Sequence, residues 1–281
     1  MSFFTPLLVI FLLAPGVFAQ IPSTPKPIQD NSFLVEEAYN QEFGVVQHIN
    51  NFQRDWNTNS WVYSFTQEWP VDFAPRNQLS YTLTAVRPGY ASAGLGDVAL
   101  NYRYQLLGDG DWRVAFAPRL TLLLPTGDSR LGRGAGGTGV QTNLPLSVVI
   151  SKHFVTHWNA GATIIPRAQN SQGARAATYG YNLGQSLIWL AKPRLNFLLE
   201  TVWAGTETVV APGRTQRDHS LLLSPGVRWA YNFSHGLQVV PGVGVPLGVG
   251  PSTGDKGIFL YLSLEHPYRN LRSGAKARTR D

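Results

Sequence analysis

Four stretches carry residues whose types could do chemistry. Gly94-Leu95-Gly96-Asp97 and Gly134 to Gly139 ("GAGGTG") are glycine-rich enough to suggest phosphate loops. Gly108-Asp109-Gly110-Asp111 alternates carboxylates with glycines, as cation loops do, and Asp218-His219-Ser220 uses the vocabulary of a hydrolase. Each fails on spacing. Gly94 to Asp97 lacks the third glycine of a dinucleotide fingerprint and precedes an alternating run, where that motif needs a helix. "GAGGTG" has no Gly-Lys-Ser/Thr after it. "GDGD" is too short for a Ca²⁺ loop and lacks the distal Glu, so it reads as a hairpin turn. Neighbours on a strand point to opposite faces, so Asp218, His219 and Ser220 cannot converge as orienter, base and nucleophile. No Ser-His constellation on one strand face is evident. The six His show no helical ligand spacing. No catalytic residue, metal site or cofactor is expected.

The elements around these stretches are strands. After Phe43, segments rich in β-branched and aromatic residues recur with period-two alternation, separated by Gly, Pro, Asn, Asp and Ser clusters. They fall at about 44–54, 60–70, 77–87, 95–107, 112–125, 139–151, 154–165, 177–190, 195–206, 218–233, 237–248 and 257–267. In "VQTNLPLSVVIS" the residues Val140, Thr142, Leu144, Leu146, Val148 and Ile150 share one face, while Gln141, Asn143 and Ser147 share the other. Tight joins at 108–111, 152–153, 191–194 and 234–236 alternate with longer, Gly-rich joins at 126–138, 166–176, 207–217 and 249–256. Short turns on one side and long loops on the other mark an outer-membrane barrel with both termini in the periplasm. The fold expected is all-β: a transmembrane, antiparallel, up-and-down barrel of about twelve strands. A secreted β-sandwich or soluble barrel is the bland alternative.

Composition agrees. Charged residues make up only 14% of the 281, against about 25% in typical globular domains. Aromatics reach 12%, and mean hydropathy is −0.09, which suits a wall that alternates wet and greasy residues. The eight Trp fall mostly near strand ends, where interfacial girdles form. The absence of Cys excludes disulfides and thiol chemistry. The net charge of +6 is concentrated after Tyr268, in Arg269, Arg272, Lys276, Arg278 and Arg280 against Asp281. A nucleic-acid partner, which needs a basic patch on a folded surface, is not expected.

The chain divides into four expected regions. Residues 1–19, "MSFFTPLLVIFLLAPGVFA", read as a signal peptide, although no Lys or Arg precedes its apolar core. Residues 20–43 read as a periplasmic leader in which Phe33 to Glu42 suggests a short helix, capped by Ser32 with Glu36 and Glu37 in its first turn; it either sits under the barrel, plugs it, or tethers it. The barrel occupies 44–268, and 269–281 form a basic periplasmic tail.

If the alternation sets the faces, Glu68, Asp97, Arg103, Arg119, Glu200, Arg228 and Glu265 point into the lumen, since charge on the lipid face is costly. All but Asp97 lie at middle to periplasmic depth. Glu68, Arg103, Arg119, Glu200, Arg228 and Glu265 are candidates for an ion-paired belt. That belt either rigidifies a narrow barrel or forms a constriction that sets permeation. Asp97, Asn101, Gln105, Thr121, Gln141 and Asn143 would line a wet path. Arg87, Arg130, Arg133, Arg167 and Arg175 make the outer loops mildly basic, suited to anions or to lipopolysaccharide phosphates.

Several runs carry a family resemblance: "FLVEEAYNQEFGVVQHI", "YSFTQEWPV", "NQLSYTL", "GLGDVALNYRYQLL", "PRLTLLLPTGD", "GVQTNLPLS" and "YLSLEHPY". Over nearly all of the chain after its signal peptide, it resembles the outer-membrane proteins grouped as the meta-pathway of phenol degradation family. The "GxGD…Y" strand followed by "P-x-LPTGD" is the most telling part. The basic tail beyond Tyr268 departs from barrels that end on a terminal aromatic. The resemblance implies a porin-like barrel that passes small solutes, aromatic or apolar compounds among them, and supplies no catalytic residues. The expected function is therefore passive uptake across the bacterial outer membrane. A structural or binding barrel with an ion-paired closed lumen is the alternative, and an outer-membrane enzyme the remoter one. Expected partners are outer-membrane lipids and lipopolysaccharide, the barrel-assembly machinery and a small-molecule solute.

Overall fold

The computed structural model describes residues 31–234 and 236–268. The expected signal peptide, residues 20–30 and the basic tail lie outside them. Among the described residues, twelve staves run antiparallel around one closed sheet. They are β1 (Val45–Asp55), β2 (Trp61–Pro70), β3 (Asn77–Arg87), β4 (Gly94–Leu95 and Val98–Tyr104), β5 (Val114–Phe116 and Arg119–Leu124) and β6 (Gly139–Asn143 and Leu146–Ser151). There follow β7 (Phe154–Gln169), β8 (Arg175–Lys192), β9 (Leu195–Ala211), β10 (Arg214–Trp229 and Tyr231–Asn232), β11 (Gln238–Gly244 and Leu247–Gly248) and β12 (Gly257–Pro267). Every stave pairs with its sequence neighbour, and β1 closes on β12 from Val45↔Pro267 to Asp55↔Gly257. Closure removes both sheet edges, which leaves no strand with unpaired backbone facing lipid.

The faces follow the alternation. Leu100, Leu122, Val140, Leu187, Leu199, Leu260 and Leu262 are exposed on the outside, as a lipid-facing band requires. Their chain neighbours Asn101, Thr121, Ser186, Glu200 and Ser263 are buried inside. Trp112, Trp158, Trp189, Phe197, Tyr231 and Phe233 are exposed toward the end that holds both strand termini. Their level suits an interfacial girdle.

The staves break where the sequence places proline. Pro118 interrupts β5 and Pro145 interrupts β6, and the Pro145 carbonyl accepts the Ala117 N–H at 3.2 Å. A proline cannot donate to a ladder, so it sits at such irregularities. Pro166 lies at the register shift of β7 between Ile165 and Ala168.

Two features differ from expectation at the sequence level. Segments 166–176 and 207–217 are not long loops. β7 to β10 continue through most of them and turn at 170–174 and 212–213. β-branched and alternating residues such as Thr206, Thr208, Val209 and Thr215 keep the ladder going past the apolar band. The Pro212-Gly213 turn works because Gly213 adopts a φ of 68°. One side of the barrel thus stands as a tall wall with a charged crest. There the Arg217 guanidinium bonds Glu207 at 2.7 Å and lies over the Tyr181 ring at 5.7 Å. The join at 125–138 does remain a long loop, with a short 3-10 turn at Ser129–Leu131.

Second, Phe33 to Glu42 form no helix. The segment from Asn31 to Gly44 is irregular and extended, and it runs inside the barrel. Side-chain acceptors on the wall outcompete the helical alternative, as the site geometry shows.

The lipid-facing band makes a direct prediction. Leu122→Arg places a charge among Leu100 and Val140, its register neighbours. It should destabilise the barrel by about 2–4 kcal/mol if that level is the membrane midplane. Urea unfolding in lipid vesicles measures this. Thr121→Ser, one residue away on the lumen side, should cost far less.

Candidate functional site

The lumen is organised around the inserted segment. An extended chain inside a barrel has no ladder of its own, so its buried N–H groups need partners from elsewhere. The wall supplies them from side chains. One oxygen of Glu200 (β9) accepts the N–H groups of Phe33, Leu34 and Val35 at 3.1, 2.8 and 3.0 Å. Asn159 (β7) accepts from Glu36 N–H at 2.8 Å and donates back to its carbonyl at 2.7 Å. Ser147 (β6) accepts from Ala38 N–H at 2.8 Å. Gln105, just past β4, accepts from Asn40 N–H at 2.9 Å and donates to the Ala38 carbonyl at 2.7 Å. Gln78 (β3) accepts from Gln41 N–H at 2.5 Å. Arg228 (β10) donates to the Asn31 carbonyl, and Arg103 (β4) to that of Tyr39 at 2.7 Å. The segment thus sweeps round the inner wall from β10 to β3.

Two side chains of the segment fix it further. The Glu36 carboxylate pairs with Arg103 at 2.9 Å and Arg119 at 2.8 Å, and accepts from the Asn143 amide. Burial alone would raise the Glu36 carboxyl; Arg119 and Arg103 beside it, with Asn143, outweigh that and hold it at about 2. Phe33 enters a socket made of absence. A Cβ at Gly226 or Gly242 would lie 2.6 or 2.7 Å from the Phe33 ring, so these positions must stay bare. The ring stacks on Phe259 at 5.3 Å and tilts against Tyr261 at 5.4 Å. Ala38 sits on Ala115 and Ala117, all fully buried, where the two proline breaks lie.

The sequence-derived candidates can now be placed. Glu68, Arg103, Glu200, Arg228 and Glu265 are buried on the lumen side, and Arg119 nearly so. The expected pairing among wall charges is corrected for Arg103 and Arg119. Their carboxylate is Glu36, on the inserted segment, and Glu200 serves backbone N–H groups. Glu265 accepts from Gln47 at 2.8 Å across the closing seam. Glu68 lines a small cavity with Arg103. Asn101, Thr121 and Gln141 form a network on Arg119, which donates to all three. Asn143 bonds Asn159 at 3.0 Å as well as Glu36. Gln105 is an acceptor for the segment, as above.

Asp97 does something else. Its carboxylate accepts the N–H groups of Gly127 at 2.9 Å and Ala135 at 2.7 Å. Thr126 donates to the Gly96 carbonyl at 2.9 Å, and Arg133 to that of Ser92 at 3.0 Å. A side chain on Gly134 would run into the Asp97 carboxylate. "GLGD" and "PTGD…RGAGG" are therefore two halves of one clamp that folds the long outer loop onto β4. Among the five basic loop residues, Arg130 pairs with Asp128 at 3.5 Å and Arg175 bonds Gln169 at 3.2 Å.

Sequence reasoning missed Glu36, Asn159, Gln78 and Ser147 as a set, and read Glu36 as a helix-terminus charge. It also missed a Ser-His pair. Ser147 and His157 are register partners on β6 and β7, and the hydroxyl lies 2.7 Å from His157 Nδ1. The turn at 152–153 alone would set 147 opposite 158; a register shift between Phe154 and Val155 brings it opposite 157 instead, and nothing in the alternation announces that shift. The hydroxyl also takes the Ala38 N–H, and both side chains are buried under the segment. The pair anchors rather than presents a nucleophile.

Among the cavities left between the described residues, two flank the segment. One of about 550 Å³ opens above the segment, between β5 and β9. Gln141, Asn159, Thr163 and Asn182 line it with amides and a hydroxyl, and Leu34, Val202 and Ala204 form an apolar strip. The other, of about 190 Å³, lies against β1 to β4, lined by Glu68, Ser80, Thr82 and Tyr261. Leu34, Glu36 and Arg119 border both.

Two outcomes test this geometry. Gly242→Val should expel Phe33. A single cysteine at Val35, in a chain with none, should then react with a thiol label that the parent barrel excludes. Glu36→Gln leaves two buried guanidiniums short of their carboxylate and should weaken docking by about 3–5 kcal/mol. The Glu36 contribution is fully present above the ordinary carboxylate range and is lost as the pH falls toward about 2. Acidification in that window should release the segment from the parent but add nothing in Glu36→Gln, as read by labelling of the same cysteine with an acid-tolerant reagent.

The barrel is similar to solved outer-membrane channels. It matches an outer-membrane channel from Pseudomonas putida F1 over 82% of this chain and 97% of that one, with a TM-score of 0.58 and 17% identity. It matches the NanC porin over 78% of this chain and 98% of the other, with a TM-score of 0.52 and 9% identity. At these identities the likeness is one of fold. No family model matches the chain, and no curated protein does. The fold is that of a closed, twelve-stranded outer-membrane β-barrel.

Proposed function

We propose that the protein resides in the bacterial outer membrane and passes small solutes passively, with the segment 31–44 narrowing the route. The observation that carries this reading is how the segment is held. Its fixings are hydrogen bonds and ion pairs to a polar wall, with Phe33 the main apolar anchor. A lumen built only for rigidity would be filled with apolar side chains at lower cost. A polar wall accepts water when the segment shifts, and its amides then line a wet path. The same six wall charges named from the sequence, Glu68, Arg103, Arg119, Glu200, Arg228 and Glu265, together with Glu36, would set the constriction.

The finer reading concerns the solute. The upper cavity sets an apolar strip against amides, and its volume of about 550 Å³ suits a small amphipathic molecule. Aromatic compounds fit that description, and the resemblance to the phenol meta-pathway family points the same way. Lipopolysaccharide around the charged crest and the assembly machinery remain expected partners of any such barrel.

Liposome swelling tests the proposal. Vesicles carrying the parent barrel should admit small neutral solutes slowly, and those carrying Gly242→Val should admit them several-fold faster. A barrel that passes nothing in either form is a structural or binding protein with a closed lumen, and the channel reading falls.

A further inference from the structure

The outer face of the barrel carries one pair of groups that the channel reading leaves unused. His48 on β1 and His266 on β12 stand on opposite sides of the seam that closes the barrel. Gln47 and Glu265, their chain neighbours, are buried toward the lumen, so both imidazoles face outward. They lie near the strand ends Val45 and Pro267. Their rings stack at 5.3 Å and their Nε2 atoms approach to 3.2 Å. His48 also stacks on Phe65 at 6.0 Å, which holds its ring plane.

A proton shared between the two imidazoles accounts for the approach as it stands. The geometry also fits another cation. Two imidazole nitrogens on one tetrahedral Zn²⁺ lie about 3.3–3.4 Å apart, from bond lengths of about 2.0–2.1 Å. The other ring nitrogen of His266, Nδ1, faces the Pro267 carbonyl at 3.4 Å. A metal-bound imidazole ordinarily gives its second N–H to such a carbonyl, which leaves Nε2 with its lone pair for the metal. The pair is invisible to motif searching, because its members are 218 positions apart.

We propose that His48 and His266 form a divalent-metal site of the zinc, nickel or copper type on the outer face of the barrel, at the end that holds the strand termini. Two protein nitrogens bind the ion and water completes its shell at the membrane interface. The ion replaces the shared proton and staples the first strand to the last. This does not depend on the lumen conducting, so it survives failure of the channel reading.

The test uses the folded barrel in detergent. Zn²⁺ titration should show one saturable site per chain. The folded gel band should persist to a higher temperature with Zn²⁺ than with a chelator, because a ligand of the native state alone stabilises it. His48→Asn and His266→Asn should each bind Zn²⁺ at least tenfold more weakly and abolish the thermal shift. Cu²⁺ bound to the parent should show two nitrogen ligands by electron paramagnetic resonance, a readout that needs no variant. Absence of saturable Zn²⁺ binding by the parent, a thermal shift that survives in both variants, or fewer than two nitrogens on Cu²⁺ would each overturn the proposal.

Discussion

The unmet hydrogen bonds of one extended segment organise the interior of this barrel. A chain without a helix or a ladder carries an N–H and a C=O at almost every residue, and burying one unpaired costs about 1–3 kcal/mol. From Phe33 to Gln41, seven N–H groups are met by Glu200, Asn159, Ser147, Gln105 and Gln78. The identity of those wall residues follows. Amides can answer both a donor and an acceptor, and Asn159 and Gln105 do so. A carboxylate with two lone pairs on each oxygen can gather adjacent N–H groups, as Glu200 does. The lumen is polar in large part because it is the hydrogen-bond partner of a piece of backbone.

The charges obey the same economy of contact. Two guanidiniums on adjacent staves would repel each other in the interior. Glu36 reaches across the lumen to both, and the Asn101, Thr121 and Gln141 side chains take up remaining Arg119 donors. Removal of the segment would leave Arg103 and Arg119 needing water. The docked segment therefore pairs charges that would otherwise need water.

Much of this architecture was legible in the sequence. Period-two alternation located all twelve staves, because a stave that faces lipid on one side and water on the other has no other way to be written. The inward face of "VALNYRYQ" and of "LTLLL" follows directly. What stayed hidden was of two kinds. Strand continuation past the membrane, as in 207–217, carries no apolar band and looks like loop. Long-range contact was the second: Glu36 looked like a helix-terminus charge because its partners stand at 103 and 119. The need for glycine at 226 and 242 was hidden because Phe33, which needs their emptiness, lies far upstream. Asp97 looked like a lumen residue because its two loop N–H groups cannot be foreseen from alternation.

The path of the inserted segment has a consequence for assembly. Its contacts visit β12 through Phe33, β10, β9, β8 through the Ser32–Ser186 hydroxyl pair at 2.7 Å, β7, β6, β5 through Glu36, β4 and β3, so they sample most of the circumference. A stave displaced by one residue would turn its acceptor toward lipid, and one displaced by two would lift it roughly a residue pair along the axis. In either case a backbone N–H in the interior would be orphaned. The segment therefore acts as a gauge: it seats fully only where the staves from β3 to β10 are in register, and its seating energy is a measure of that correctness.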